Sequence, residues 1–203
     1  MTAITTIEGL RSILAQPRAT TKAKILDHLD EQARAFIARS PFMILSTVGG
    51  DGLPDASPKG DEPGFVLIEN ERSIVIPDRA GNNLAFGLSN IIANPHVGLI
   101  MLSPGTGETL RIAGRATLDN DAALCQQLTA RGKPALLGIR IAIERAYFHC
   151  ARSVLRANLW QPDKWPQAMK VSFGAIIATA TKADATLVGQ IDAMVDNGYK
   201  TGL

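Results

Sequence analysis

Histidine and cysteine are scarce: the 203 residues include three of one and two of the other. His28, His96 and His149 form no His-x-x-x-His pair and the cysteines form no Cys-x-x-Cys pair, so a dedicated metal site is not expected. Cys125 and Cys150 lie far apart in a chain with no hydrophobic leader after Met1 and no apolar run near the length of a membrane span. These absences point to a reduced, cytoplasmic protein that does not enter a membrane. Cys150, beside His149, reads as a small buried packing residue rather than a reactive thiol. A net charge of +2 is too small to imply nucleic acid or an acidic membrane surface as partner. Gly105-Thr-Gly107 is followed by no Gly-Lys-Ser/Thr and is not a P-loop, and Ser46 and Ser57 lack a Gly-x-Ser-x-Gly elbow.

What is present suits one core. With 46% hydrophobic and 20% charged residues, the chain reads as a single domain over 1–203. Residues 1–40 read as helical, opening with Thr5 and Glu8 in capping-box spacing. From Thr21 to Arg39, Ile25, Leu29, Ala33, Phe36 and Ile37 recur at helical intervals and predict one amphipathic helix. After Pro41 the pattern shortens. Phe42–Thr47 and Ala56–Lys59 flank Gly49-Gly-Asp-Gly52, and Phe65–Glu69 and Ser73–Pro77 flank Asn70-Glu-Arg72, which together predict a four-stranded antiparallel meander. A helix is expected over 82–93, strands over 96–102 and 108–118, a helix over 121–131 and a strand over about 139–149. The remainder, 151–203, reads as a basic segment to Trp160, a proline-bounded loop through Trp165 and a final helix with Leu187, Ile191 and Val195 on one face. Six or seven strands with flanking helices suggest a small barrel, because the early strands leave no room for crossover helices.

Three stretches concentrate the chemistry: Asp55-Ala-Ser-Pro-Lys-Gly-Asp61, Pro77-Asp-Arg-Ala-Gly-Asn-Asn83 and Glu108-Thr-Leu-Arg-Ile-Ala-Gly-Arg115. Arg79, Asn82 and Asn83 stand where a turn runs into a helix, whose first amides would favour an anion. The plain alternative is that Asp78 and Asn82 cap the helix and Arg79 is solvated. Pro58 has no amide hydrogen, so its strand belongs at a sheet edge or a bulge, where Lys59 could meet a ligand or simply sit on the surface. Arg111 and Arg115, four apart on one strand, share a face with Ala113, either open to a ligand or salt-bridged to Glu108 or Asp119. Trp160 could shield a flat ring or cap the core; Trp165 is expected in the core. Asp55, Asp61 and Glu62 read as a solvated acidic loop.

The order and spacing of these three stretches resemble the pyridoxamine 5'-phosphate oxidase-like, FMN-binding split-barrel family, over about residues 41–160. The resemblance implies a mainly β fold with flanking helices, a six- or seven-stranded antiparallel split β-barrel over 41–150, with helices at 1–40 and 151–203. It implies a homodimer with FMN at the subunit interface and a small-molecule electron donor or substrate. Matched residue by residue, it places the flavin ring along Ala56, Ser57 and Pro58 and the phosphate near Lys59, Arg79, Asn82 and Asn83. Arg111 would come from the second subunit. No basic, histidine-containing run follows Trp160, so oxidation of pyridoxamine phosphate itself is not implied.

Overall fold

The computed structural model describes residues 3–81, 83–182 and 184–202. Seven strands, β1 (Phe42–Val48), β2 (Pro54–Gly60), β3 (Leu67–Asn70), β4 (Ser73–Asp78), β5 (His96–Leu102), β6 (Thr109–Asp119) and β7 (Leu137–His149), form one antiparallel sheet. Their order is β2-β1-β5-β6-β7-β4-β3. The expected four-stranded meander does not exist. The β1–β2 and β3–β4 hairpins form, but β5, β6 and β7 lie between them, so the hairpins end up at opposite edges of the sheet.

Alternation along β1 explains the inside of the sheet: Met43, Leu45 and Thr47 are buried while Phe42 and Ser46 are exposed. Ile74, Ile76, Ile139 and Ile141, facing one another across β4 and β7, are fully buried with Leu110 and Ile112 of β6. Each such side chain contributes about 1.5–3 kcal/mol by leaving water. β4 is covered on its other face too, where Val75 packs beneath Leu124 and Leu128 of a short helix, α5 (Ala122–Gln127), and the turn after it. A bulge interrupts the β6–β7 register between Ala113 and Gly114 and leaves Glu144 without a cross-strand partner.

The helices differ from expectation in instructive ways. Thr6, not Thr5, caps the first helix, α1 (Ile7–Ile13), by accepting from the Gly9 amide. The single helix expected over 21–39 is broken into α2 (Ala19–Ala23) and α3 (Glu31–Arg39). Between them Leu26 exchanges backbone hydrogen bonds with Ala146 as an isolated β-bridge, and Asp30 restarts the helix by capping the Ala33 amide at 2.8 Å. The stripe on α3 then shrinks to Ala33, Phe36 and Ile37, and Ile25 is exposed. Phe36 closes the core edge-on against Phe148, with ring centroids 5.4 Å apart.

Beyond the sheet, α6 (Arg152–Arg156) buries only Val154. The two last helices, α7 (Phe173–Thr181), which sequence periodicity missed, and α8 (Ala185–Thr201), pack on each other. Gly174 makes their close crossing possible, since a Cβ there would lie 2.3 Å from the Val188 carbonyl oxygen. Cys125 is buried, but Cys150 is exposed rather than packed, and Trp165 is 53% exposed rather than in the core. No helix among the described residues is long and apolar enough to cross a membrane.

Candidate functional site

β2 is an edge strand, as Pro58 requires, and its alternation sorts the residues there into two sets. Asp55, Ser57 and Lys59 are half-buried on the inner side, whereas Ala56 and Pro58 are exposed. The inner side lines a hollow of about 680 Å³ with the end of β4 and the loop beyond it. Opposite β2 stand Asp78, Arg79 and Asn83, and the apolar wall includes Leu45, Phe65, Leu88 and Leu137. Ala56 and Pro58 border the same hollow from the exposed edge, so Ala56, Ser57, Pro58, Lys59, Arg79 and Asn83 surround one space. Asn82 lies outside the described residues.

The helix expected to open at Asn82 begins four residues later, as α4 (Phe86–Ala93). Asn83 (φ 59°) and Ala85 (φ 53°) hold left-handed backbone, which delays the first turn. Ala85 stands at the N-cap with no side-chain hydrogen bond. The first-turn amides at Gly87 and Leu88, which line the hollow, thus lack the usual cap. α4 runs close over β2 here: a Cβ at Gly87 would be in ordinary contact, 3.4 Å, with both Asp55 Oδ2 and Ser57 Oγ. Ser57 Oγ donates to Asp55 Oδ2 at 2.8 Å, and Asn90 Nδ2 of α4 donates to the buried Thr47 Oγ1 at 3.1 Å.

Both cations of the hollow are half-buried and paired. Lys59 Nζ is bonded to Asp78 Oδ1, and Arg79 Nε donates to Asp61 Oδ2 at 3.0 Å. Both pairs run from β2 and the residue after it to β4 and the residue after it, two sides of the sheet that share no strand hydrogen bonds. The carboxylates Asp55, Asp61 and Asp78 are thus part of the hollow, and Asp61 is no solvated loop residue: its side chain is only 10% exposed. The sequence pattern suggested a helix cap for Asp78 and a solvated loop position for Asp61, and neither as a partner of Lys59 or Arg79, although both stand inside the stretches that carry those cations. Among the described residues, one buried nitrogen of the Arg79 guanidinium, Nη1, has no hydrogen-bond partner.

Arg111 and Trp160 are not in this hollow. Arg111 lies on the outer face of β6, its guanidinium 5.6 Å from the centroid of the Tyr147 ring, in a second groove of about 480 Å³ that Arg145 and His96 also line. Arg115 shares that face but bonds to His96 Nε2 at 3.0 Å; Asp119 instead pairs with Arg140. Trp160 is half-buried, and its indole donates to the Thr106 carbonyl at 2.7 Å, which ties it to the Gly105–Gly107 loop. Among the described residues, no group of three or more His, Cys, Asp or Glu could hold a metal ion.

The pyridoxamine 5'-phosphate oxidase family model matches residues 29–150, and the chain belongs to that family. Similar solved structures include HupZ from Group A Streptococcus (14% identity, 59% of this chain and 93% of that one, TM-score 0.49). An FMN-binding protein from Syntrophomonas wolfei (10% identity, 57% and 86%, TM-score 0.42) and an F420 reductase (18% identity, 60% and 98%, TM-score 0.42) are also similar. No curated protein matches the chain.

Proposed function

We propose that this chain is an FMN-binding oxidoreductase that works as a homodimer with a small-molecule electron donor or substrate. Arg79 supports the reading most. Its guanidinium is anchored at Nε, while Nη1 is buried and has no acceptor among the described residues, in a hollow that also receives the start of α4, which has no side-chain cap. A buried charged N–H without a partner is costly, and a phosphoryl oxygen is the acceptor that a guanidinium and helix-start amides jointly favour. The residues present therefore fit a phosphorylated flavin. Arg79, Asn83 and the first turn of α4 would hold its phosphate. Lys59 and Ser57 would line the approach, with the ring along the β2 edge at Ala56–Pro58.

Arg111 and Trp160 would reach such a ring only from a second copy, since within one chain they face elsewhere. When bound, the flavin supplies the two-electron chemistry, and the protein supplies position and charge. The alternative is a binding module that holds the flavin without turning it over.

The test starts with the purified full-length protein. FMN is expected by mass spectrometry of the copurifying small molecule, with bleaching of the flavin bands by a reduced nicotinamide and recovery in air. A copurifying deazaflavin or haem refutes FMN, and a bound flavin that no nicotinamide reduces selects the binding module. A monomer with full flavin content refutes the role given to Arg111 and Trp160.

A further inference from the structure

We propose that Asp61 is a positioning residue that makes the hollow select phosphorylated over unphosphorylated flavin, by fixing the Arg79 guanidinium. This inference rests on the flavin reading above.

Asp61 is held at three points. Its amide donates to the Pro41 carbonyl at 3.1 Å, its Oδ1 accepts from the Glu62 amide at 3.0 Å, and its Oδ2 accepts from Arg79 Nε at 3.0 Å. The chain just before it passes close to the same carbonyl, since a Cβ at Gly60 would lie 3.1 Å from the Pro41 carbonyl oxygen. The Asp61 backbone is therefore tied to the junction of α3 and β1 and its carboxylate to the adjacent Glu62 amide, so the side chain offers Arg79 Nε a positioned acceptor. An arginine held only by its backbone samples many rotamers, and ordering it costs entropy each time an anion binds. Engaging Nε in advance fixes the guanidinium plane and leaves the Nη groups for a ligand.

Lys59 has the opposite arrangement. Its single ammonium is engaged by Asp78, whose side chain is only 11% exposed, so this cation is already neutralised and its part is to hold β2 to β4. Counting Asp55, Asp61 and Asp78 against Lys59 and Arg79, the hollow carries more negative than positive side chains. General positive charge does not draw a dianion there. Directed hydrogen bonds from Arg79 and the α4 amides must, and their direction depends on Asp61.

The full-length protein, stripped of flavin, is titrated with FMN and with riboflavin by fluorescence quenching. Wild type should prefer FMN. Asp61→Ala should lower the ratio of FMN to riboflavin affinity by about tenfold, the effect of losing a charge-assisted bond in good register. Asp61→Asn, which keeps an oxygen for Nε, should retain more of the ratio than Asp61→Ala does. Equal weakening of both flavins in Asp61→Ala overturns the inference, because a merely structural role would not distinguish them. If that variant does not fold, Arg79→Lys applies the same test: the charge stays, the fixed fork is lost, and an undiminished ratio overturns the inference. A wild type that binds FMN without preferring it to riboflavin sinks this inference alone, whereas a wild type that binds neither flavin sinks the flavin reading with it.

Discussion

Replacing Asp78 by alanine leaves the Lys59 ammonium, 21% exposed, without the carboxylate that it is bonded to across the open side of the sheet. Breaking a fully buried pair by removing one partner costs roughly 3–5 kcal/mol, and an exposed pair contributes at most about 1. With side-chain exposures of 21% and 11%, this pair stands between those limits, so about 2 kcal/mol is expected from Asp78→Ala. The same loss is expected from Lys59→Met, which strands the buried carboxylate instead. The double change Lys59→Met/Asp78→Leu removes both charges and should recover most of the stability, giving a coupling of about 1.5 kcal/mol or more between the two sites. In urea denaturation, at a slope of about 2 kcal/mol per molar, each single variant should lower the midpoint by roughly 1 M. In thermal melts it should lower Tm by about 4–8 °C. Additive losses in the double variant would refute the reasoning, since they would mean that the two groups do not depend on each other.

Arg79→Ala combined with Asn83→Ala should release most of the bound FMN while the chain stays folded, at roughly 1.5–3 kcal/mol for each charge-assisted bond lost; unchanged flavin absorbance per chain would contradict the phosphate assignment. Gly114→Ala should destabilise by about 2–3 kcal/mol, because its Cβ would lie 2.1 Å from the Ala142 carbonyl oxygen beside the β6–β7 bulge, and an unchanged melting temperature would refute that packing. The Arg140 guanidinium beside Glu69 and Asp119 holds both carboxyls below their ordinary values of 4.5 and 3.8. Depressed folded-state values mean a contribution that is complete above those pH values and lost as pH falls below them. Arg140→Met should therefore flatten the dependence of stability on pH below about 4.5, as read by denaturation at stepped pH, and an unaltered slope would count against the network.

Much of the sheet was legible in the residues. Alternation along 42–48 and 96–102 and the turn at Gly49–Gly52 locate strands to within a residue or two, because side-chain period and turn chemistry are local properties. The order of those strands was not, and neither was the break between α2 and α3. There the local pattern favours one helix, and a bridge to Ala146, more than a hundred residues away, outweighs it. The start of α4 was misplaced for a related reason: asparagine at 83 tolerates left-handed backbone, but alanine at 85 gives no warning of it.

Sequence by itself determined which residue types would supply the site. Lys59 and Arg79 stand in short polar stretches at strand ends, Pro58 demands an edge, and these constraints act within a few residues of chain. Only the tertiary structure decided how their charges are used. It carries Asp61 and Asp78 into the same half-buried space, where each carboxylate engages one cation, and it turns Arg111 to the far face of the sheet. Pairing of this kind depends on distance and burial between segments that the chain separates, and a linear pattern contains neither.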